Sequence, residues 1–263
     1  VTRNKGAHVN MLTACQMHDL NATAHALAAR DQGVVDLQTL ARISAGDEIS
    51  LGEDFEMVSS KHALRRIEIL SRETNLLDAL TELHAAHPCR PLIDREDLFR
   101  SLRPAPAILI EAAINRNSAT QLIHVDKTGI ALAHRDPFDN MTRDQRTAYQ
   151  AADDRLKEME LKPVALFQSP GPEQLDLEAL LIWKSRAVRL YNHSLKQTLL
   201  LSTDAIAAAE QTLKTAFPDA KTFTTGAARD ALKTNRKTIV PLLEYFDARG
   251  VTEREGDERI IVV

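Results

Sequence analysis

The chain has 263 residues, a formal net charge of −4, 27% charged residues and 44% apolar residues. This balance is typical of a soluble globular protein, and the low aromatic content of 4% favours helices over a large β-sandwich. The apolar runs are far shorter than the roughly 20 residues of a membrane helix, so we expect a cytoplasmic protein that does not contact a membrane. Two cysteines predict no disulfide framework. Because the sequence starts at Val1 rather than Met, we also expect a fragment or a processed product.

Positive charge is concentrated near the C-terminus. Between residues 221 and 240, five cations oppose a single acid, a local charge of +4 that leaves −8 for the rest of the chain. These six residues are Lys221, Arg229, Asp230, Lys233, Arg236 and Lys237. A basic surface on an acidic body can dock on phosphates, while the acidic remainder discourages non-specific binding.

The first predicted unit spans residues 1–58 and is the least regular. Helical spacing of apolar residues predicts three helices followed by two short strands. The helices are VNMLTACQMHDL, ATAHALAARD and VDLQTLARIS, and the strands are EISLG and FEMVSS. An alternative interpretation makes residues 1–12 a strand and linker left from a preceding domain, with too little chain for a full third helix.

The second and third predicted units, residues 59–136 and 137–201, each place helices before a hairpin. In the second unit the helices are KHALRRIEILSRETNLLDALTELHAAH, DREDLFRSL and APAILIEAAINR, and the hairpin TQLIHVDKTGIALAHR turns at residues 126–129. In the third unit the helices are RDQRTAYQAADDRLKEME and LDLEALLIWKSRA, and the hairpin strands are VRLYNH and QTLLLS.

The fourth predicted unit, residues 202–263, is the clearest. Ser202 is a good N-cap for its first helix, and a shorter helix, TTGAARDALK, follows. Thr234 is expected to cap the third helix, which contains Pro241 and ends at Gly250. The last residues, VTEREGDERIIVV, alternate and predict a hairpin that turns at Gly256-Asp257.

Three helices closed by a two-stranded wing form a winged helix, a variant of the helix-turn-helix. The predicted fold class is therefore mainly α with small β-hairpins (α+β), as tandem winged-helix domains in an elongated row. Units that follow one another without a Gly/Ser-rich or Pro-rich spacer favour this rigid arrangement.

No residue pattern indicates an enzyme or a bound cofactor. The sequence lacks a phosphate-binding GxxxxGK[ST] loop, and its DKTG at residues 126–129 suits a hairpin turn. Potential zinc ligands fall into two groups that nothing brings together: Cys15 and His18, and His84, His87 and Cys89. His84 and His87 suit an exposed helix end. Trp183 could stack on a base, but its apolar neighbours favour a core position.

The start of the last helix is unusual because cations stand where the helix dipole is already positive. Lys233, Arg236 and Lys237 surround this start with no acid in the first turn. An exposed cation at this position is destabilised by roughly 0.3–1 kcal/mol through its interaction with the helix dipole. A bound phosphate would make the same position favourable for a cation. Arg254 and Arg259 flank the wing turn and could reach the same ligand. We therefore favour nucleic-acid binding over a merely solvated surface.

The last residues resemble a known family. ARDALKTNRKTIVPLLEYFDARGVTEREGDERII is similar to the last winged helix of SelB, the selenocysteine-specific elongation factors of bacteria. Weaker similarity extends upstream to ELHAAHPCRPLIDREDLFRSL and RNKGAHVNMLTA, so the resemblance covers nearly the whole chain. It departs from the pattern at Asn235, where Ser is expected, and at Glu253 and Glu255, which make the wing less basic.

The resemblance implies an RNA-binding C-terminal fragment that recognises the selenocysteine insertion element, a hairpin in messenger RNA. It implies no catalytic, metal or cofactor site in this chain, since GTP hydrolysis belongs to the full-length factor. Contacts with the ribosome and selenocysteinyl-tRNA are likewise expected only through the full-length factor, and this chain is expected to be a monomer. The RNA-binding residues expected from the resemblance and the basic helix start are Arg229, Lys233, Thr234, Asn235, Arg236, Lys237, Arg254, Gly256, Asp257 and Arg259.

Two other functions fit the same fold. A winged-helix DNA-binding regulator would be expected to dimerise on paired half-sites. A protein-interaction scaffold would bind its partners without regard to salt or to the Arg236/Lys237 pair. The sequence leaves both open.

Overall fold

The structure, a computed structural model, describes residue 14 and residues 19–43, 51–163, 166–167, 170–218 and 222–262. Within these ranges the chain forms helices and short antiparallel sheets, which confirms the predicted α+β class. The chain divides into two compact units. The first unit contains Val1–Ala86 and Leu92–Arg135, and the second contains His87–Pro91 and Asp136–Val263.

A small three-stranded sheet organises the beginning of the first unit. Its described elements are α1 (Leu20–Arg30), β1 (Val34–Asp36), α2 (Leu37–Ile43), β2 (Phe55–Met57) and β3 (His62–Arg65). The strand order is β1-β3-β2, and both pairings are antiparallel. Asp19 caps α1 by accepting a hydrogen bond from the N–H of Ala22 at 2.9 Å.

Two helices predicted from the sequence begin later than expected, because their first residues are strands. Residues 34–36 pair with β3 before α2 begins at Leu37, and residues 62–65 form β3 itself. Ala63 and Leu64 are fully buried in that central strand. Strand β3 forms backbone hydrogen bonds with a neighbouring strand on each edge, and these outweigh its helical preference. The partner strands are distant in sequence, so the local spacing of apolar residues does not indicate them. The alternatives for residues 1–12 and the strand predicted at 48–52 lie largely outside the described residues.

The rest of the first unit follows the predicted order of helices and hairpin. Its elements are α3 (Arg66–Ala86), α4 (Arg95–Ser101), α5 (Ala107–Ala119), β4 (Ile123–Val125) and β5 (Ile130–Leu132). Leu76 and Leu80 of α3 share a core cluster with Ile110 and Ile114 of α5. The Asp126 carboxylate accepts hydrogen bonds from the N–H groups of Thr128 and Gly129, so the DKTG segment is confirmed as a hairpin turn.

The second unit begins with helices and a long hairpin. These elements are α6 (Pro137–Asn140), α7 (Arg143–Glu158), α8 (Pro172–Trp183), β6 (Ala187–Asn192) and β7 (Gln197–Ser202). A capping box between Thr142 and Gln145 starts α7. Pro172 occupies the first turn of α8, where its missing N–H is tolerated.

The C-terminal part of the second unit is a winged helix. Its elements are α9 (Thr203–Ala216), β8 (Phe223–Thr224), α10 (Thr225–Ala231), α11 (Arg236–Ala248), β9 (Thr252–Glu255) and β10 (Glu258–Ile261). The strands form a sheet in the order β8-β10-β9. Ser202 caps α9 as predicted, and Gly250 ends the last helix region with a φ of +68°.

One core joins this winged helix to the preceding hairpin. Ile239, Leu242, Leu243 and Phe246 of α11 are fully buried, and they share a cluster with residues of α9 and β10. Leu190 and Leu201, from β6 and β7, belong to the same cluster. The β6–β7 hairpin is therefore packed against the last helix as part of one hydrophobic core.

Two expectations about single residues are wrong. His84 lies 2% exposed in α3 and not at an exposed helix end, because its side of the helix faces the core. Trp183 is 39% exposed at the end of α8, so it is not a core residue. The ammonium of Lys184 lies 5.0 Å from the centre of the Trp183 ring.

Neither a membrane helix nor a metal cluster emerges from the parts of the chain that the structure describes. No helix there has the length and apolar character to span a bilayer. No group of three or more His, Cys, Asp or Glu side chains there is arranged to hold a metal ion. Cys15 and His18, two of the potential ligands considered in the sequence, lie outside the described residues.

Candidate nucleic-acid interface

The last helix begins one residue later than the sequence suggested. Asn235, in extended conformation, caps α11 by accepting a hydrogen bond from the N–H of Thr238 at 3.1 Å. The predicted cap, Thr234, instead donates its hydroxyl hydrogen bond to the carbonyl oxygen of Leu161. Thr234 is half-buried and occupied within the protein, whereas Asn235 is exposed at the helix start.

The cations at this helix start are exposed, as the sequence indicated. Lys233, Arg236 and Lys237 are all exposed, and the first turn of α11 contains no acidic residue. Within the described ranges none of the three forms an ion pair. The first-turn N–H groups of a helix lack intrahelical acceptors and carry partial positive charge. The helix start therefore concentrates positive charge, and in the part of the chain that the structure describes no ion pair offsets it.

Pro241 creates a second irregularity in the same turn. A residue at this position would normally donate its N–H to the carbonyl of Lys237, four residues earlier, but proline has no N–H. The side-chain amide of Asn192, in β6, donates to that carbonyl oxygen at 2.8 Å. Asn192 is 4% exposed, and its own Oδ1 accepts a hydrogen bond from the N–H of Leu195 at 3.0 Å. The β6–β7 turn is thus tied to the first turn of α11.

A groove of about 290 Å³ runs beside the basic helix start, between α10 and α11. Its lining consists of Thr225, Gly226, Arg229, Arg236, Ile239 and Val240. Arg229 is exposed, and its guanidinium lies 2.7 Å from the carboxylate of the neighbouring Asp230. The groove therefore has two arginines beside Thr225, Gly226 and two aliphatic residues.

The wing, the β9–β10 hairpin, presents a further exposed arginine beside its turn. Arg254, Gly256 and Asp257 are all exposed. The Arg254 Nε donates to the carbonyl oxygen of Gly256 at 2.9 Å, which orders the side chain over the turn. Gly256 has a φ of +64°, a conformation that favours glycine, and this explains its place in the motif. Glu253 and Glu255 are also exposed, so the wing carries both signs of charge.

Arg259 occupies a different environment from the other predicted contacts. It is 7% exposed, and its Nε lies 3.1 and 3.0 Å from the two carboxylate oxygens of Asp247, in α11. Thr252 also donates to Asp247. Arg254 and Arg259 are directly paired across the wing, but only Arg254 is exposed. In this structure Arg259 fastens the wing to the helix, whereas Arg254 is exposed on the wing, so Arg259 as a ligand contact stays a prediction.

The structure thus brings most of the predicted residues to one winged helix. Arg229 and Arg236 share the groove, Lys233 and Lys237 lie at the helix start, and Arg254 extends from the wing. Sequence reasoning missed Asn192, which sits 45 residues before its partner. No local sequence pattern indicates this hydrogen bond, because its donor and acceptor lie in different elements.

Two comparisons with known proteins agree with this architecture. Residues 216–261 match a family model described as "Elongation factor SelB, winged helix". A solved structure titled "Crystal structure of bacterial selenocysteine-specific elongation factor EF-Sec" is similar with a TM-score of 0.61 at 20% identity. The alignment covers 99% of this chain and 40% of that one, so the chain spans well under half the length of the solved protein. No curated protein matches the sequence.

These findings confirm the resemblance seen in the sequence. Residues 216–261 are similar to a SelB winged helix, and the chain has the tandem winged-helix fold seen in the solved elongation factor. At this level of identity, the likeness to the solved structure concerns the fold alone.

Proposed function

We propose, on the premise of a SelB-type winged helix, that this chain binds the selenocysteine insertion element, a hairpin in messenger RNA. The observation that carries the proposal is the group of exposed cations at the start of α11, where the first turn has no acid. Such an arrangement is unfavourable in the free protein and becomes favourable when a phosphate arrives. The match of residues 216–261 to a SelB winged helix supports the choice of RNA.

Each group in the proposed surface has a role suited to its chemistry. Lys233 and Lys237 are point charges for phosphates, and the first-turn N–H groups that Asn235 leaves open add donors for the same anion. Arg236 and Arg229, on the groove, can contact a phosphate or a guanine edge with two parallel hydrogen bonds. Arg254 approaches from the wing. An RNA loop suits this surface because its splayed bases expose both edges and faces.

The wider role follows from the same proposal. The chain would be the RNA-recognition part of a longer elongation factor, acting as a monomer in the cytoplasm. GTP hydrolysis and contacts with selenocysteinyl-tRNA and the ribosome would belong to other domains of that factor. We assign no catalytic step to the present chain.

The proposal is tested by measuring binding of the chain to a panel of RNA hairpins and to duplex DNA of matched sequence. We expect at least one hairpin to bind more tightly than every duplex, with affinity that falls as salt rises. Arg236→Ala should weaken that hairpin roughly tenfold, and Lys237→Ala should reduce the salt slope by about one. Lys127→Ala, at an exposed hairpin turn of the first unit, is the control.

Other outcomes would identify the competing functions. Tighter binding to duplex DNA, with dimerisation on paired half-sites, would indicate a DNA-binding regulator. Equal hairpin affinity of the wild type and Arg236→Ala would contradict the assigned surface. Salt-independent binding of a protein partner, unaffected at Arg236 and Lys237, would indicate a scaffold.

A further inference from the structure

We infer that the turn of the β6–β7 hairpin is a second RNA contact, which receives single-stranded nucleotides adjoining the hairpin held at α11. The inference rests on the proposed function, since it extends the same RNA beyond the surface formed by α11 and the wing. Its residues are Tyr191, His193 and Lys196, which the resemblance to SelB did not single out.

The position of this turn is fixed by the protein itself. Leu190 and Leu201 belong to the core cluster of α11, and Asn192 donates to the Lys237 carbonyl at 2.8 Å. That carbonyl belongs to one of the cations proposed to hold phosphate. The turn is therefore attached directly to the first turn of α11, beside the proposed site.

The charge of the β6–β7 hairpin is complementary to a nucleic-acid backbone. Residues 187–202 contain Arg189 and Lys196 but no Asp or Glu, although the whole chain has a net charge of −4. Lys196 is exposed, and it forms no ion pair within the described residues. A hairpin that carries only positive charge in an acidic protein provides a local attraction for phosphates.

An exposed aromatic pair distinguishes this turn from an ordinary basic loop. Tyr191 is 47% exposed, and its ring centroid lies 4.8 Å from that of His193 in an edge-to-face arrangement. Leu195, at the same turn, is 43% exposed. Contact between a base and an aromatic ring is the usual way in which proteins hold unpaired nucleotides, and neighbouring cations bind the phosphates between them.

These features favour a single strand over a duplex. Bases inside a duplex are already stacked on one another and cannot lie on a protein ring, whereas an unpaired nucleotide can. The combination of one ring pair and one unpaired lysine suits a short segment without base-specific hydrogen bonds. We therefore expect this contact to add affinity with little sequence preference.

The test uses the tightest hairpin from the panel, with and without a single-stranded tail of about ten uridines, a length within the usual range for such sites. The tail should strengthen binding to the wild-type chain. Tyr191→Ala should remove roughly fivefold or more of affinity from the tailed RNA and leave the tail-free hairpin unchanged. Tyr191→Phe, which retains the ring, should retain the gain, and Lys196→Ala should lower the salt slope for the tailed RNA alone.

Cross-linking provides a second measurement that does not depend on affinity. With 5-iodouridine in the tail, light should produce an adduct on Tyr191, located by mass spectrometry and absent from Tyr191→Ala. The inference is overturned if the tail adds no affinity, if Tyr191→Ala and Lys196→Ala retain the full gain, or if the adduct forms elsewhere. Failure of the proposed function has a separate signature, since Arg236→Ala would then leave the tail-free hairpin unaffected.

Discussion

Arg259 of the wing and Asp247 of the last helix form a partly buried ion pair, in which the Arg259 Nε lies within 3.1 Å of both carboxylate oxygens. The Arg259 Nη2 lies 3.0 Å from the same carboxylate. This pair holds the wing in place beside α11, so in the proposed RNA-binding surface it would position Arg254 and the wing turn.

Arg259→Ala should destabilise the second unit by roughly 1–3 kcal/mol, because it leaves the partly buried Asp247 carboxylate without its cation. Arg254→Ala, at the exposed residue that pairs with Arg259 across the wing, is the control and should alter stability by less than about 0.5 kcal/mol. Urea denaturation of the two variants measures the difference. Equal stability of both would show that the ion pair does not hold the wing.

Asn192→Ala should destabilise the second unit by about 1–3 kcal/mol, since the Lys237 carbonyl then loses its donor. Pro241→Ala restores a backbone N–H for that carbonyl, so the loss caused by Asn192→Ala should shrink in the Pro241→Ala background. A double-mutant cycle measures this coupling. Strictly additive effects would contradict the exchange of donors described here.

Arg236→Glu should stabilise the free protein by roughly 0.5–2 kcal/mol, because it replaces an unfavourable charge in the first turn of α11 with a favourable one. The same change should abolish hairpin binding. Thermal unfolding without RNA measures the gain in stability, and a binding titration measures the loss of hairpin affinity. Lys214→Glu is the control: it places a negative charge in the last turn of α9, beside Glu210, and should destabilise the folded protein.

Asp153 predicts a pH dependence of stability. Burial by itself would raise the pKa of this carboxyl group, but hydrogen bonds from Lys157 and Arg186 outweigh burial and lower the pKa below its ordinary value. A lowered pKa in the folded state stabilises above the unfolded pKa of about 3.9, and this stability is lost as the pH falls through the folded value.

Asp153→Asn should therefore cost roughly 1–3 kcal/mol at neutral pH and flatten the loss of stability below about pH 4. Unfolding free energies measured from neutral pH down to strongly acidic solution provide the comparison. Asp154→Asn, on the exposed side of α7, is the matched control and should leave the pH profile nearly unchanged. Parallel profiles for the wild type and Asp153→Asn would contradict the assigned role of the carboxylate.

Much of the architecture could be predicted because its signals are local. Ser202 caps its helix through the N–H of Ala205, three residues away, and Gly256 occupies the left-handed turn position that the hairpin requires. The absence of acids from the first turn of α11 is visible directly in the sequence. Even the missed cap, Asn235 in place of Thr234, is an error of one residue between two suitable types.

The remaining features depend on partners far away in the chain. His62–Arg65 becomes a strand because residues 34–36 and 55–57 offer it two edges. The Thr234 hydroxyl donates a hydrogen bond to the carbonyl oxygen of Leu161, 73 residues earlier, and does not cap the helix. No local pattern in either segment encodes these pairings. The sequence therefore predicted that residues 62–65 are helical and that Thr234 caps the last helix.

The sequence by itself determined the α+β class, the hairpin turns, the Ser202 cap and the accumulation of cations at the last helix. Those depend on hydrogen bonds and side-chain periodicity within a few residues. Tertiary structure alone decided which arginine of the wing is buried and which is exposed, and that Asn192 replaces the donor missing at Pro241. Both outcomes follow from the need to satisfy buried charges and carbonyls with whichever groups folding brings near.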